Sequence, residues 1–98
     1  MPAAPFYVYM LASRPWGALY VGHTDDLRKR AEQHRRGAVP GHTKRYGIRT
    51  LVWFELHPSR QEAIHRETRL KRYERLWKND LIIAVNPEWK DISDQIPL

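Results

Sequence analysis

Apolar positions along the chain fall first into a continuous run, then into two strand-like returns separated by stretches with helical spacing. Phe6-Tyr7-Val8-Tyr9-Met10-Leu11 is aromatic and β-branched, the composition of a strand. Ser13-Arg14-Pro15-Trp16-Gly17 carries turn chemistry, and Ala18-Leu19-Tyr20-Val21-Gly22 reads as the returning strand of a hairpin. With Ser13 to Trp16 as the loop, Ala12 faces Gly17 and Tyr9 faces Tyr20 directly, two phenols on one sheet face. Thr24-Asp25-Asp26 offers a capping hydroxyl and two first-turn acids for a helix that runs through Leu27 to His34 and ends near Gly37. Leu27, Ala31 and His34 share its packing side, with Arg30 there or at the margin. Residues 37–47 hold three Gly, one Pro and Tyr46, and read as a loop.

Thr50 to Leu56 is a third strand, apolar enough to predict a central place. Ser59 with Glu62 three residues on makes a capping box, and the helix behind it carries Ala63, Ile64, Glu67 and Leu70 on one stripe. Past Tyr73 the periodicity allows continuation or restart, and Leu76, Trp77, Leu81, Ile82, Ile83 and Val85 suggest a further buried helix. Asn86-Pro87-Glu88-Trp89 is a stop signal before an irregular tail. The order is β-β-α-β-α-α, an α+β domain with a small three-stranded antiparallel sheet flanked by helices.

Length makes this one domain over residues 1–98, since two cores would each be too small to bury themselves. Eleven aromatic residues argue against a solvated chain, and the longest apolar run, Phe6 to Ala12, is far short of a membrane span. That run does not read as a signal peptide, having no Lys or Arg before it. The lack of cysteine excludes disulfides, thiolate zinc sites and cysteine nucleophiles, and fits a cytoplasmic setting. A net charge of +6 changes the picture most. Residues 25–49 hold eight cations against three acids, residues 50–79 seven against four, and the tail from residue 80 is acidic. A compact basic domain of this kind meets a polyanion, nucleic acid first, or else displays a solvated basic surface.

Glu67 is the sharpest single residue. A carboxylate on an apolar stripe costs several kcal/mol unless paired, so either function or an ion pair with Lys71 or Arg30 must explain it. Lys44, Arg45 and Tyr46 form a phosphate-and-stacking patch or a solvated loop, and Lys71 adds another phosphate contact. His23, His42, His57 and His65 lack metal-site spacing.

Taken in order, the motifs resemble a known family. Tyr7-Val8-Tyr9 and Tyr20-Val21-Gly22 are similar to the paired tripeptides that name the GIY-YIG endonucleases. Gly22 to Arg30, with His34, resembles that family's helix bearing an arginine and a histidine. Arg66-Glu67-Thr68-Arg69-Leu70-Lys71 resembles its acidic helix, and Asn86 to Asp91 the tail of its small standalone bacterial members. The resemblance covers about residues 6–91. It implies a nuclease that cuts DNA phosphodiester bonds with one divalent ion, Mg²⁺ or Mn²⁺, in DNA repair, recombination or processing. It makes Tyr9 and Tyr20 the motif tyrosines, Arg30 the helix arginine, His34 the helix histidine and Glu67 the metal-binding carboxylate. Tyr7 stands where the family name has its first glycine, and the family's polar residue after the acidic helix finds no match, which leaves a second metal contact open.

Those residue types suit the chemistry. Glu67 is a hard oxygen ligand, and Arg30 offers a fork to phosphate oxygens. Tyr9 needs a nearby cation, Arg30 or Lys71, to become a base, whereas His34 titrates near neutrality unaided. A monomer is expected, with no membrane partner and with a place in a larger repair or recombination complex. The alternatives are a catalytically weak nucleic-acid-binding module of the same fold and a basic protein-interaction adaptor.

Overall fold

A computed structural model of the chain describes residues 5–38 and 41–97, apart from the side chain of His42. Strand β1, Phe6–Ala12, lies between β2, Leu19–Thr24, and β3, Thr50–His57, and both pairings are antiparallel. The central place predicted for Thr50 to Leu56 therefore belongs to β1. Every β1 residue after Phe6 is buried, so each face of this strand must be covered, whereas β3 loses its burial towards His57.

The hairpin register also differs from the expected one. Ala12 pairs with Leu19 and Tyr9 with Gly22, two residues out of the anticipated alignment. Two more residues enter the loop, which is closed by the Ser13 N–H donating to the Ala18 carbonyl at 3.0 Å and the Gly17 N–H to the Arg14 carbonyl at 2.8 Å. Trp16 adopts φ +62 there, a conformation that turn propensities do not foresee for a bulky residue. A slip of two residues preserves facing, so Tyr9 and Tyr20 still share one side of the sheet.

Helix α1 spans Leu27–Arg35 and buries Leu27, Ala31 and His34. Asp26, not Thr24, is its N-cap, accepting from the Lys29 N–H at 3.2 Å; Thr24 accepts instead from the Asp26 N–H at 3.1 Å. The loop expected at 37–47 contains a single turn, α2, His42–Arg45. Helix α3, Arg60–Arg72, starts at Ser59 as anticipated, with the Ser59 hydroxyl accepting from the Glu62 N–H at 3.2 Å. Its buried positions are Ala63 and Leu70, while Ile64 is exposed. Tyr73 turns extended, and the chain restarts as α4, Arg75–Val85. Only Asn79 and Ile82 of α4 are buried; Leu76, Trp77 and Val85 face solvent, against expectation.

The core has two halves. On one side of the sheet Val8, Met10, Ala12 and Val21 pack with Ala63, Leu70, Ile82 and Trp89, under α3 and α4. On the other, Tyr7, Tyr9 and Leu11 pack with Leu27 and Ala31 of α1 and with Ile92 and Ile96 of the tail. The tail is thus part of the core. Asn86 fixes its start, donating to the Val52 carbonyl at 3.1 Å and to the Lys90 carbonyl at 2.8 Å. Among the described residues no helix is long and apolar enough to cross a membrane.

Candidate active site

Strand alternation sets the site at the β2 edge. Tyr20 and Gly22 face α1, whereas Val21 and His23 face α3. Gly22 lies directly opposite Tyr9, and a Cβ at that position would come within 2.7 Å of the Tyr9 hydroxyl and 2.9 Å of Tyr20 Cε2. Only glycine lets the two phenols close over this strand, which gives the last residue of Tyr20-Val21-Gly22 a steric reason. The Tyr9 and Tyr20 ring centroids are 6.2 Å apart, and His34 completes a triangle at 6.1 Å from Tyr9 and 5.5 Å from Tyr20. The Tyr9 hydroxyl is 3.4 Å from His34 Nε2.

Burial governs both groups. It pushes the Tyr9 phenol well above its ordinary value, and the neighbouring Tyr20 adds to this; Arg30 pulls the other way and is outweighed. Lys71 gives Tyr9 no such help, because it is engaged elsewhere. His34 is lowered, first by burial and then by the Arg30 charge, so it is neutral rather than poised at neutrality. Its Nδ1 is buried without a partner among the described residues.

Glu67 sits across the edge from the rings. One carboxylate oxygen meets His23 Nδ1 at 2.6 Å, and the other accepts from Lys71 Nζ at 2.8 Å. Burial alone would raise its pKa, but the hydrogen bonds from Lys71 and His23 hold it below the usual carboxylate range. It is therefore an anion in the free protein. Arg30 makes no ion pair among the described residues and lines a cleft of about 280 Å³ with Thr24, Asp25, Asp26, Lys29 and Gln33.

The donor set fits a hydrated divalent ion. No group of three or more His, Cys, Asp or Glu able to hold a metal exists among the described residues, which speaks against a protein-caged zinc. One carboxylate, with water and substrate phosphate as the other ligands, is the arrangement that Mg²⁺ or Mn²⁺ accepts.

The structure thus brings Tyr9, Tyr20 and His34 together, with the Arg30 charge felt by the Tyr9 and His34 groups. Lys71, expected at a phosphate, is paired with Glu67 in the free chain. Lys44, Arg45 and Tyr46 form a separate exposed patch on and after α2, with the Arg45 guanidinium 5.6 Å over the Tyr46 ring. Asn79 and Asn86 are both buried; Asn79 accepts from Arg75 Nε at 2.9 Å, and Asn86 holds the tail. His23 was passed over for its spacing. Its signal was strand parity: two residues after Val21, it must point towards α3.

Known proteins resemble this chain in sequence and in fold. The model of the GIY-YIG catalytic domain matches residues 5–80. A UPF0213 protein of Clostridium perfringens is 33% identical over 92 residues, which cover 94% of this chain and 98% of the relative. A UPF0213 protein of Staphylococcus aureus is 38% identical over 66 residues, 67% of this chain and 80% of that one. The solution NMR structure of a UPF0213 protein from Bacillus halodurans is similar with a TM-score of 0.54 and 27% identity, covering 89% of this chain and 92% of that one. With the domain match running from β1 into α4 over the two tyrosines, Arg30, His34 and Glu67, the chain belongs to the GIY-YIG family of nucleases.

Proposed function

We propose that this chain is a divalent-metal-dependent endonuclease that hydrolyses DNA phosphodiester bonds. The observation that supports it best is the meeting, at one strand edge, of an anionic carboxylate with a buried phenol–imidazole pair under the field of an arginine that has no ion pair among the described residues. Glu67 would hold Mg²⁺ or Mn²⁺, which supplies Lewis-acid polarisation of the phosphate. Arg30 clamps the non-bridging phosphate oxygens and compensates the charge that grows in the transition state. Tyr9 takes the proton of the attacking water while its own proton passes to His34 Nε2. Concerted transfer avoids a free phenolate, which burial disfavours; the imidazolium it leaves is disfavoured by burial and by Arg30, so His34 returns the proton through Tyr9 to solvent once the product departs. Tyr20 holds the Tyr9 ring in place.

DNA is the partner that the family domain implies, and the +6 charge agrees. Repair, recombination or processing in the cytoplasm, with the chain acting as a monomer or within a larger complex, is the setting we assign. If about four to six phosphates are neutralised, log affinity falls against log salt with a slope near −4 to −5. The deciding experiment incubates flap, fork, nicked and linear DNAs with Mg²⁺ or Mn²⁺, wild type beside Glu67→Gln. Metal-dependent cutting by wild type alone is expected; equal cutting by both proteins, or none by either, overturns the proposal.

A further inference from the structure

The hairpin loop between the two motif strands does more than join them. Trp16, at its tip, is 59% exposed and sits at φ +62, where a bulky L-residue is strained. The loop around it is held by several hydrogen bonds. Besides the two backbone bonds that close it, the Ser13 hydroxyl accepts from the Ala18 N–H at 3.0 Å, and Gly17 lies where a Cβ would collide with that hydroxyl. Arg75 reaches over from α4, its Nη2 donating to the Gly17 carbonyl. Behind the indole lies Trp89, itself at φ +57 and buried, with ring centroids 5.1 Å apart. The fold therefore accepts a left-handed backbone at two tryptophans, and the outcome is one indole supported from behind and open to water in front.

Position and charge say what belongs on that surface. Arg14, two residues before Trp16 in the loop, and Arg75, bonded to the loop at Gly17, are exposed, so two cations stand beside the ring. Trp16 is six residues before Gly22, the residue opposite Tyr9, at most about 20 Å of extended chain. An aromatic face between cations is the surface on which unpaired bases stack while the arginines meet the flanking phosphates. A base within a duplex has no free face to offer.

We propose that Trp16 is a stacking platform for an unpaired nucleobase. It lies within about six nucleotides of the bond placed at Tyr9 and Glu67, taking ~3.4 Å per nucleotide. The inference rests on the nuclease reading and narrows its substrate class to DNA with a single-stranded arm beside the cut.

Binding of the full chain to a single-stranded oligonucleotide, a flap and a blunt duplex, in EDTA at one fixed salt concentration, tests this. Trp16→Asn is the variant of choice, because asparagine accepts the left-handed backbone and removes only the ring. It should weaken flap and single-strand binding roughly tenfold or more and leave the duplex within about twofold. Trp16→Phe should recover part of the loss. Tryptophan fluorescence quenching by single-stranded DNA should also largely disappear in Trp16→Asn, although the chain's three other tryptophans remain. An equal loss on all three DNAs, or no loss on any, overturns the platform while leaving the nuclease reading intact. If the wild type binds none of them, that reading falls and takes the platform with it.

Discussion

Each outer strand borders a glutamate held by a histidine and a cation, Glu67 of α3 beside β2 and Glu55 of β3 itself, yet the two clusters are built to opposite ends. At the β2 edge Glu67 meets His23 and Lys71; at the β3 edge Glu55 meets His57 Nε2 at 2.7 Å and Arg66 Nε at 2.9 Å. Both hang on α3, which packs on all three strands, and the neighbours Arg66 and Glu67 serve opposite edges. The cation makes the difference. Arg66 grips both Glu55 oxygens, Nη2 reaching the second at 3.3 Å, and its side chain is only 19% exposed. Burial alone would lower the Arg66 pKa, but its bonds to Glu55 outweigh this, which marks a closed pair. Lys71 touches one Glu67 oxygen from a side chain that is 54% exposed. A single, largely exposed contact can be given up to a phosphate, so the carboxylate beside β2 can open while that of β3 stays shut.

Exchanging each carboxylate for its amide tests that contrast most severely. Glu67→Gln should lower metal-dependent cleavage by about 10³-fold or more, the scale of charge stabilisation assigned to a catalytic ion. Its melting should fall modestly, because Lys71 and His23 hold the ionised Glu67 below its ordinary pKa and that contribution is lost, while the released lysine is already more than half in water. Glu55→Gln should cut nearly as wild type and lose stability by about 1–2 kcal/mol, less than for a fully buried pair because Glu55 is one-third exposed. Nuclease assays and thermal melts on the two variants give four numbers. If Glu55→Gln is as inactive as Glu67→Gln while still folded, the contrast is wrong.

Next come the two groups that only the β2 side possesses. Arg30→Ala should slow cutting by roughly 10²-fold while changing DNA affinity much less, as befits a transition-state contact. Rate and affinity falling in equal proportion would reduce Arg30 to a binding residue. Tyr9→Phe keeps the ring packing and deletes the hydroxyl facing His34; a loss of about 10²-fold or more with unchanged melting is expected. Tyr20→Phe is the comparison and should lose less, since Tyr20 positions the ring beside it. Normal cutting by Tyr9→Phe would move the base elsewhere.

Much of the site was legible in the sequence because it rests on parity and spacing. The hairpin register came out two residues away from expectation, yet an even slip keeps Tyr9 and Tyr20 on one face, so the pair survived the error. Leu27, Ala31 and His34 fell at helical spacing and are buried together. What stayed hidden depends on contacts distant in sequence. His23 finds Glu67 across 44 positions, and no local pattern announces such a meeting. Strand order was misread for a similar reason: β1 and β3 are both apolar runs, and only the layers on each face decide which is central. The exposed Leu76, Trp77 and Val85 defeat any reading that equates apolar with buried.

The smallest effect separates the buried imidazole from the paired carboxylate by pH. His34 is 2% exposed, and its pKa is lowered from 6.5 by burial first and by Arg30 second. In the unfolded chain it takes up a proton as pH falls through 6.5, whereas in the folded chain it resists protonation until lower pH. The unfolded state thus binds more protons in that window, and stability, full above pH 6.5, declines as the medium is acidified towards the lowered folded value. Glu67 acts in a lower window: its folded pKa lies below 4.5, so its contribution is present above 4.5 and is lost only as pH falls beneath that. Denaturant midpoints of wild type and His34→Gln, measured from pH 7.5 to 5, should therefore diverge in slope by up to about one proton's worth, at most ~1.4 kcal/mol per pH unit. Glu67→Gln should track wild type over the same range and part from it only below pH 4.5. Identical slopes for wild type and His34→Gln would mean that the imidazole titrates as freely as in the unfolded chain, and the buried neutral partner required by Tyr9 would be gone.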